Sequence, residues 1–153
     1  MKIHHFTVPA QHPERVASVL AELLGARSLP LPHSGGGFIV YGGDSDGSAI
    51  EVWPAALRSK VGAHELTPSE LPLPEAWPHH AYVTSDTADS ETILTVFARE
   101  GWKAERVRNG PPHAGFGLVR GWIENQTTIE LGGSEMRGEY ERFFQLMTGR
   151  TAA

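Results

Sequence analysis

Ile3-His4-His5-Phe6-Thr7-Val8 alternates apolar and polar residues near the start of the chain, and Pro78-His79-His80-Ala81-Tyr82-Val83 repeats its plan. Both read as strands of period two. After the first, Gln11-His12-Pro13-Glu14 opens a helix, where proline is tolerated in the first turn. Val16, Val19, Leu20 and Leu23 form its apolar stripe, and Gly25 suits its end. After the second, Asp89 or Ser90 begins a helix with the stripe Ile93, Val96 and Phe97, stopped by Gly101. Three strand candidates follow each helix: 27–31, 37–41 and 48–53 in the first half, then 103–108, 117–124 and 127–131 in the second. Each half closes on an Ile-Glu pair, Ile50-Glu51 and Ile129-Glu130. The order is β-α-β-β-β, twice. Two copies predict a pseudo-symmetric pair rather than an open-ended solenoid.

The boundaries follow from these signals. Module one spans about 1–63. Residues 64–77 carry Pro68, Pro72 and Pro74 and read as an extended connector. Module two spans about 78–133. Ser134 is an N-cap candidate for a C-terminal helix over 134–148, with Met136, Tyr140, Phe143 and Met147 on one face. That helix is expected to pack on its own domain; the alternatives are a subunit interface or closure over a pocket. At 153 residues the chain suits a single α+β domain. Its 40% hydrophobic and 20% charged residues are those of a soluble globular protein. No apolar run is long enough to span a membrane, and no signal-peptide pattern opens the chain, so a cytoplasmic location is expected. The absence of cysteine excludes disulfides, thiolate metal sites and a thiol nucleophile. A net charge of -5 with no basic run argues against nucleic acid as a partner.

Alternation then sorts the side chains. His5 shares a strand face with Thr7, Glu51 with Ala49 and Trp53, His80 with Tyr82 and Thr84, and Glu130 with Thr128. Phe6 and Val8, Ile50 and Val52, Ala81 and Val83, and Ile129 and Leu131 fall on the other face, which is expected to bury against the helices. A mid-strand carboxylate among aliphatics is costly to desolvate unless something positive meets it. Two imidazoles and two carboxylates make a set of N/O ligands for a divalent cation, the simplest such partner. By the same parity His4 and His79 fall on the structural face. His12, His33 and His64 are expected in solvent. His113 lies in a loop that could reach a substrate. Trp53 and Tyr82 are the better pocket candidates; the pattern does not fix the parity of Arg120 and Trp122.

These features resemble the vicinal oxygen chelate superfamily, the group of glyoxalase I, bleomycin-resistance proteins and extradiol dioxygenases. The opening strands His5-Phe6-Thr7-Val8 and His80-Ala81-Tyr82-Val83 are similar to that family's first strands. Asp44-Ser45-Asp46-Gly47-Ser48-Ala49-Ile50-Glu51 matches its last hairpin in full. The second copy, Glu124-Asn125-Gln126-Thr127-Thr128-Ile129-Glu130, is one residue shorter and lacks the Asp-Gly turn. The resemblance covers about residues 2–133. It implies two half-cups of mixed sheet with helices outside, a homodimer, and metal ligands at His5, Glu51, His80 and Glu130. It also implies Zn2+, Ni2+, Co2+ or Mn2+ (Fe2+ less so), and a small substrate chelating through vicinal oxygens. Glu51 or Glu130 would then serve as general base and acid, beside a pocket of Trp53, Tyr82 and His113.

Three functions compete on this reading. The first is a metal-dependent glyoxalase-like lyase or isomerase. The second is a non-catalytic protein that binds a drug or metabolite in the same cup, as bleomycin-resistance proteins do. The third is an Fe(II) extradiol-type dioxygenase using His5 or His80 with one glutamate.

Overall fold

The computed structural model describes residues 5–31, 35–42, 48–59, 66–68 and 81–148. His4, His33, His64, His79, His80 and the turn Asp44-Ser45-Asp46-Gly47 lie outside them. The first half runs β1 (His5–Ala10), α1 (Pro13–Leu24), β2 (Arg27–Pro30), β3 (Phe38–Tyr41) and β4 (Ala49–Pro54). The second runs β7 (Ala81–Thr84), α2 (Ser90–Glu100), β8 (Ala104–Asn109), β9 (Phe116–Ile123) and β10 (Thr127–Gly132). Between them a short hairpin pairs β5 (Leu57–Ser59) with β6 (Leu66–Pro68). The connector expected over 64–77 therefore includes a strand. Its Pro68 sits at the strand end, where a missing N–H is tolerated.

The two sheets have equivalent orders, β1-β4-β3-β2 and β7-β10-β9-β8. In each, the first strand is parallel to the last and the other pairs are antiparallel. This is an α+β fold of two β-α-β-β-β units, as the repeated stretch predicts. The expected helix stops hold. Gly25 and Gly101 both cap in the left-handed region, at φ 60° and 72°, where a Cβ would be strained. Asp89 is the N-cap of α2; its carboxylate accepts the Thr92 N–H at 2.8 Å.

The apolar faces assigned by alternation come together in one core. Val8, Ile50 and Val52 from the first sheet join Ile129, Leu131 and Val119 from the second. Val16, Leu20, Ile93 and Phe97 join them from the helices. Fully buried aliphatics of this kind each contribute roughly 1.5–3 kcal/mol. Packing is close at one point above all. A Cβ on Gly121 would lie 2.1 Å from the Phe97 ring, so α2 can rest on β9 only because that residue is glycine.

Two details differ from expectation. The C-terminal helix does not start at Ser134. Residues Ser134–Met136 form a 3-10 turn capped by Gly133, and α3 proper is Glu139–Thr148. Gly138, at φ 79°, separates the two by turning the chain out of the right-handed region. The β9–β10 turn, without the Asp-Gly of the first copy, places Glu124 and Asn125 in left-handed backbone at φ 50° and 57°. Tertiary bonds hold this costly turn. The Glu124 carboxylate accepts the His12 N–H at 2.8 Å and the Gln11 N–H, and it meets His12 Nδ1 at 2.9 Å. Asn125 accepts the Lys103 N–H at 2.8 Å and donates to the Gly101 carbonyl at 3.1 Å.

Candidate functional site

β1 and β7 are edge strands of their sheets, and the two sheets meet where β1 lies against β10. At one end the seam is closed: Thr127 Oγ1 donates to the Pro9 carbonyl at 3.2 Å. At the other it opens into a cleft of about 690 Å³. His5 and Phe6 of β1, Tyr41 beside β4, Tyr82 and Thr84 of β7, and Tyr140 of α3 line it. Of the pocket residues expected from sequence, Tyr82 lines this cleft. Trp53 and His113 are not among its lining residues. His113 is exposed on the loop after β8.

Register places the predicted acidic residues. In the first sheet His5 lies opposite Ala49, and Thr7 opposite Glu51, so His5 and Glu51 share a face as alternation requires. Glu51 is half-buried and accepts the Trp53 indole N–H at 2.9 Å. In the second sheet Tyr82, Glu130, Arg120 and Glu105 form one transverse row. Glu130 is 4% exposed. Arg120 meets it across the hairpin, donating to Glu130 Oε1 from Nη2 at 2.9 Å and from Nε at 3.2 Å. The carboxylate thus does meet something positive, and the chain supplies it.

Arg120 is a residue that sequence reasoning did not place. Its parity follows once the β9–β10 register is known, but the shortened turn hides that register. Trp122 is settled in the same way: it lies opposite Thr128, on the face of Glu130.

The C-terminal helix makes the other unplaced contribution. Tyr140 packs on Tyr82 with ring centroids 4.8 Å apart, and both meet Phe116, at 5.0 and 5.6 Å. Phe143 joins the cluster 5.0 Å from Phe116. The helix packs on its own domain, as expected, and also forms a wall of the cleft. Burial pushes the Tyr82 phenol up to about 12, with Glu141, Tyr140, Glu139 and Glu130 adding to the effect.

The metal implied for His5, Glu51, His80 and Glu130 can be tested against these side chains. His80 lies outside the described residues. Among the described residues no three His, Asp or Glu side chains come together as a metal-binding group. Glu130 is engaged by a guanidinium and Glu51 by an indole. The described donors do not by themselves fit a divalent ion.

No protein-family model and no curated protein sequence matches the chain. Solved structures do. A genomically encoded fosfomycin resistance protein, FosX, from Listeria monocytogenes aligns with a TM-score of 0.59 at 10% identity, over 92% of this chain and 96% of that one. A lactoylglutathione lyase from Agrobacterium tumefaciens aligns at 0.52 and 13% identity, over 90% and 96%. An antibiotic binding protein from a Streptomyces species aligns at 0.52 and 15% identity, over 87% and 95%. At such identities the likeness establishes architecture: this chain has the vicinal oxygen chelate fold. No helix among the described residues is long and apolar enough to cross a membrane.

Proposed function

We propose that this protein binds a small, largely apolar molecule in the cleft at the β1–β7 seam. The observation that carries this reading is the cleft itself: about 690 Å³ walled by Phe6, Tyr41, Tyr82 and Tyr140, with His5, Ser48 and Thr84 among its polar lining. That volume falls within the range of small-molecule pockets, and an aromatic wall with few polar groups is their usual lining. The structural likeness to an antibiotic binding protein agrees with it. A soluble, cytoplasmic homodimer remains part of the same proposal. The test is a thermal-shift and calorimetric screen that includes fosfomycin, S-lactoylglutathione and aromatic antibiotics. Ala49 lines the cleft on the face of His5. Ala49→Trp should fill the cleft and weaken any hit at least about tenfold, a cost of roughly 1.4 kcal/mol. A hit that binds Ala49→Trp as tightly as the wild type would place the ligand elsewhere.

A second reading keeps the glyoxalase-like enzyme. Its support is the matched placement of Glu51 and Glu130, each the Glu of an Ile-Glu pair in the strand that runs parallel to its module's first strand. On this reading His5, Glu51, His80 and Glu130 would hold Zn2+, Ni2+, Co2+ or Mn2+, which would supply Lewis-acid chemistry when bound. The Glu51 or Glu130 carboxylate moves the proton. Metal analysis of protein purified without chelator, with turnover of a glutathione hemithioacetal, tests it. About one ion per site, lost in both Glu51→Ala and Glu130→Ala, is its expected outcome.

A further inference from the structure

Glu51 and Glu130 occupy equivalent positions in the repeat, yet the fold surrounds them differently. Across the sheet Glu51 faces Ile39 of β3, whereas Glu130 faces Arg120 of β9. Glu51 is half-buried and satisfied by a neutral donor, the Trp53 indole. The Glu130 side chain is 5% exposed, that of Arg120 32%. Removing a carboxylate from water to this degree is unfavourable unless a positive charge and hydrogen bonds compensate it. Arg120 supplies both, with two N–H groups aimed at one oxygen at 2.9 and 3.2 Å. A guanidinium is a planar, charged fork of N–H donors matched to a carboxylate.

We infer that Arg120 is the resident cation of the second half-cup, a fixed counter-ion to Glu130 in the position where the family resemblance implies a divalent metal. A metal ion on the same carboxylate would sit within a few ångströms of a like charge, in surroundings poorer in water than the surface, where repulsion is strong. Arg120 is thus a positioning residue: it orients the carboxylate beside Tyr82 and makes the fold independent of metal at this point. The inference does not rest on which ligand the cleft takes, and the Ala49→Trp test bears on that question separately. It bears instead on the enzyme reading, which it deprives of Glu130 as a ligand.

The test begins with full-length protein stripped by chelator and titrated with Zn2+, Ni2+ and Mn2+, followed by calorimetry and thermal melting. The expected result is that wild type and Glu130→Gln respond identically to each ion. Arg120→Met, which takes the guanidinium away from the buried carboxylate, should lower Tm by roughly 5–10 °C. Arg120→Met with Glu130→Leu should recover most of that loss, because an apolar pair leaves no charge uncompensated. One ion per chain that raises the wild-type Tm and is lost in Glu130→Gln would overturn the inference, as would Arg120→Met melting like wild type. If Arg120→Met does not fold, the wild-type titration and the double variant still decide.

Discussion

Tyr82 shows how much one residue's surroundings alter its chemistry. Its place on the cup face could be read by counting two from His80, but its proton affinity could not. That depends on Tyr140 and Glu141 arriving from a helix near the other end of the chain. The consequence for stability has a definite sign. The folded phenol titrates near 12, above its ordinary value of 10.0. Below pH 10 both folded and unfolded forms carry the proton, and stability does not depend on it. As pH rises from 10 toward 12 the unfolded chain loses the proton first, so stability falls. Tyr82→Phe should remove that part of the alkaline loss. The phenolate absorbance of the wild type minus that of the variant should rise near pH 12. A difference titrating at 10 would mean that the ring is not buried by α3. His5 was legible as a cup-face residue, and its register opposite Ala49 agrees. The pairing of Glu130 with Arg120 was not legible, because it joins residues whose alignment depends on a turn of unusual backbone.

At the scale of elements, α3 is the least predictable and the most consequential. Its amphipathic pattern announced a helix, but nothing in that pattern said what the apolar face would cover. The structure sets Tyr140 and Phe143 against Phe116 and Tyr82, and Glu139 accepts the Gly117 N–H at 2.8 Å. Glu139 also pairs with Arg108 at 3.3 Å. Tyr140→Ala deletes ring contacts with Tyr82, Phe116 and Phe143 and one wall of the cleft. It should cost roughly 1–3 kcal/mol in urea unfolding and weaken ligand binding in the same variant. Unchanged stability would show that the helix docks without this ring. The strands, by contrast, were legible nearly throughout, since alternation and flanking turn residues act over only a few positions. The β5–β6 hairpin escaped because its three-residue strands are too short to show a period.

At the scale of the whole molecule, the halves are fastened across α1 and α2 as well as through the core. Arg99 of α2 forms a two-pronged pair with Glu22 of α1, at 2.8 and 2.9 Å, and also meets Glu100 at 2.9 Å. Arg15 of α1 meets Glu100 from the other side at 2.7 Å. The Arg99 hydrogen bonds are the main influence holding both carboxyls below their ordinary 4.5; Arg15 adds to the effect at Glu100. Their contribution is complete above that value and is lost as pH falls through the lower folded values. Arg99→Ala should therefore show a smaller fall in Tm than wild type between about pH 5 and pH 3. Added salt should narrow the difference at neutral pH, because the Arg15, Arg99 and Glu22 side chains are exposed. Equal acid sensitivity in the two proteins would show that the network carries none of the pH dependence.

Local sequence alone specifies the two β-α-β-β-β units, the glycine stops of both helices, and the apolar face of the first and last strand in each unit. These are local properties, set by periodicity and by backbone preferences over a few residues. Only the tertiary structure decided what stands opposite Glu130, what covers Tyr82 and where the seam opens. Each of these depends on contacts between distant segments. The Glu124-Asn125 turn that sets Arg120 against Glu130 is held by Gln11 and His12 of the first unit and by Gly101 and Lys103 of the second. Such a register is specified by the assembled chain, because its strain is compensated only when both halves are in place.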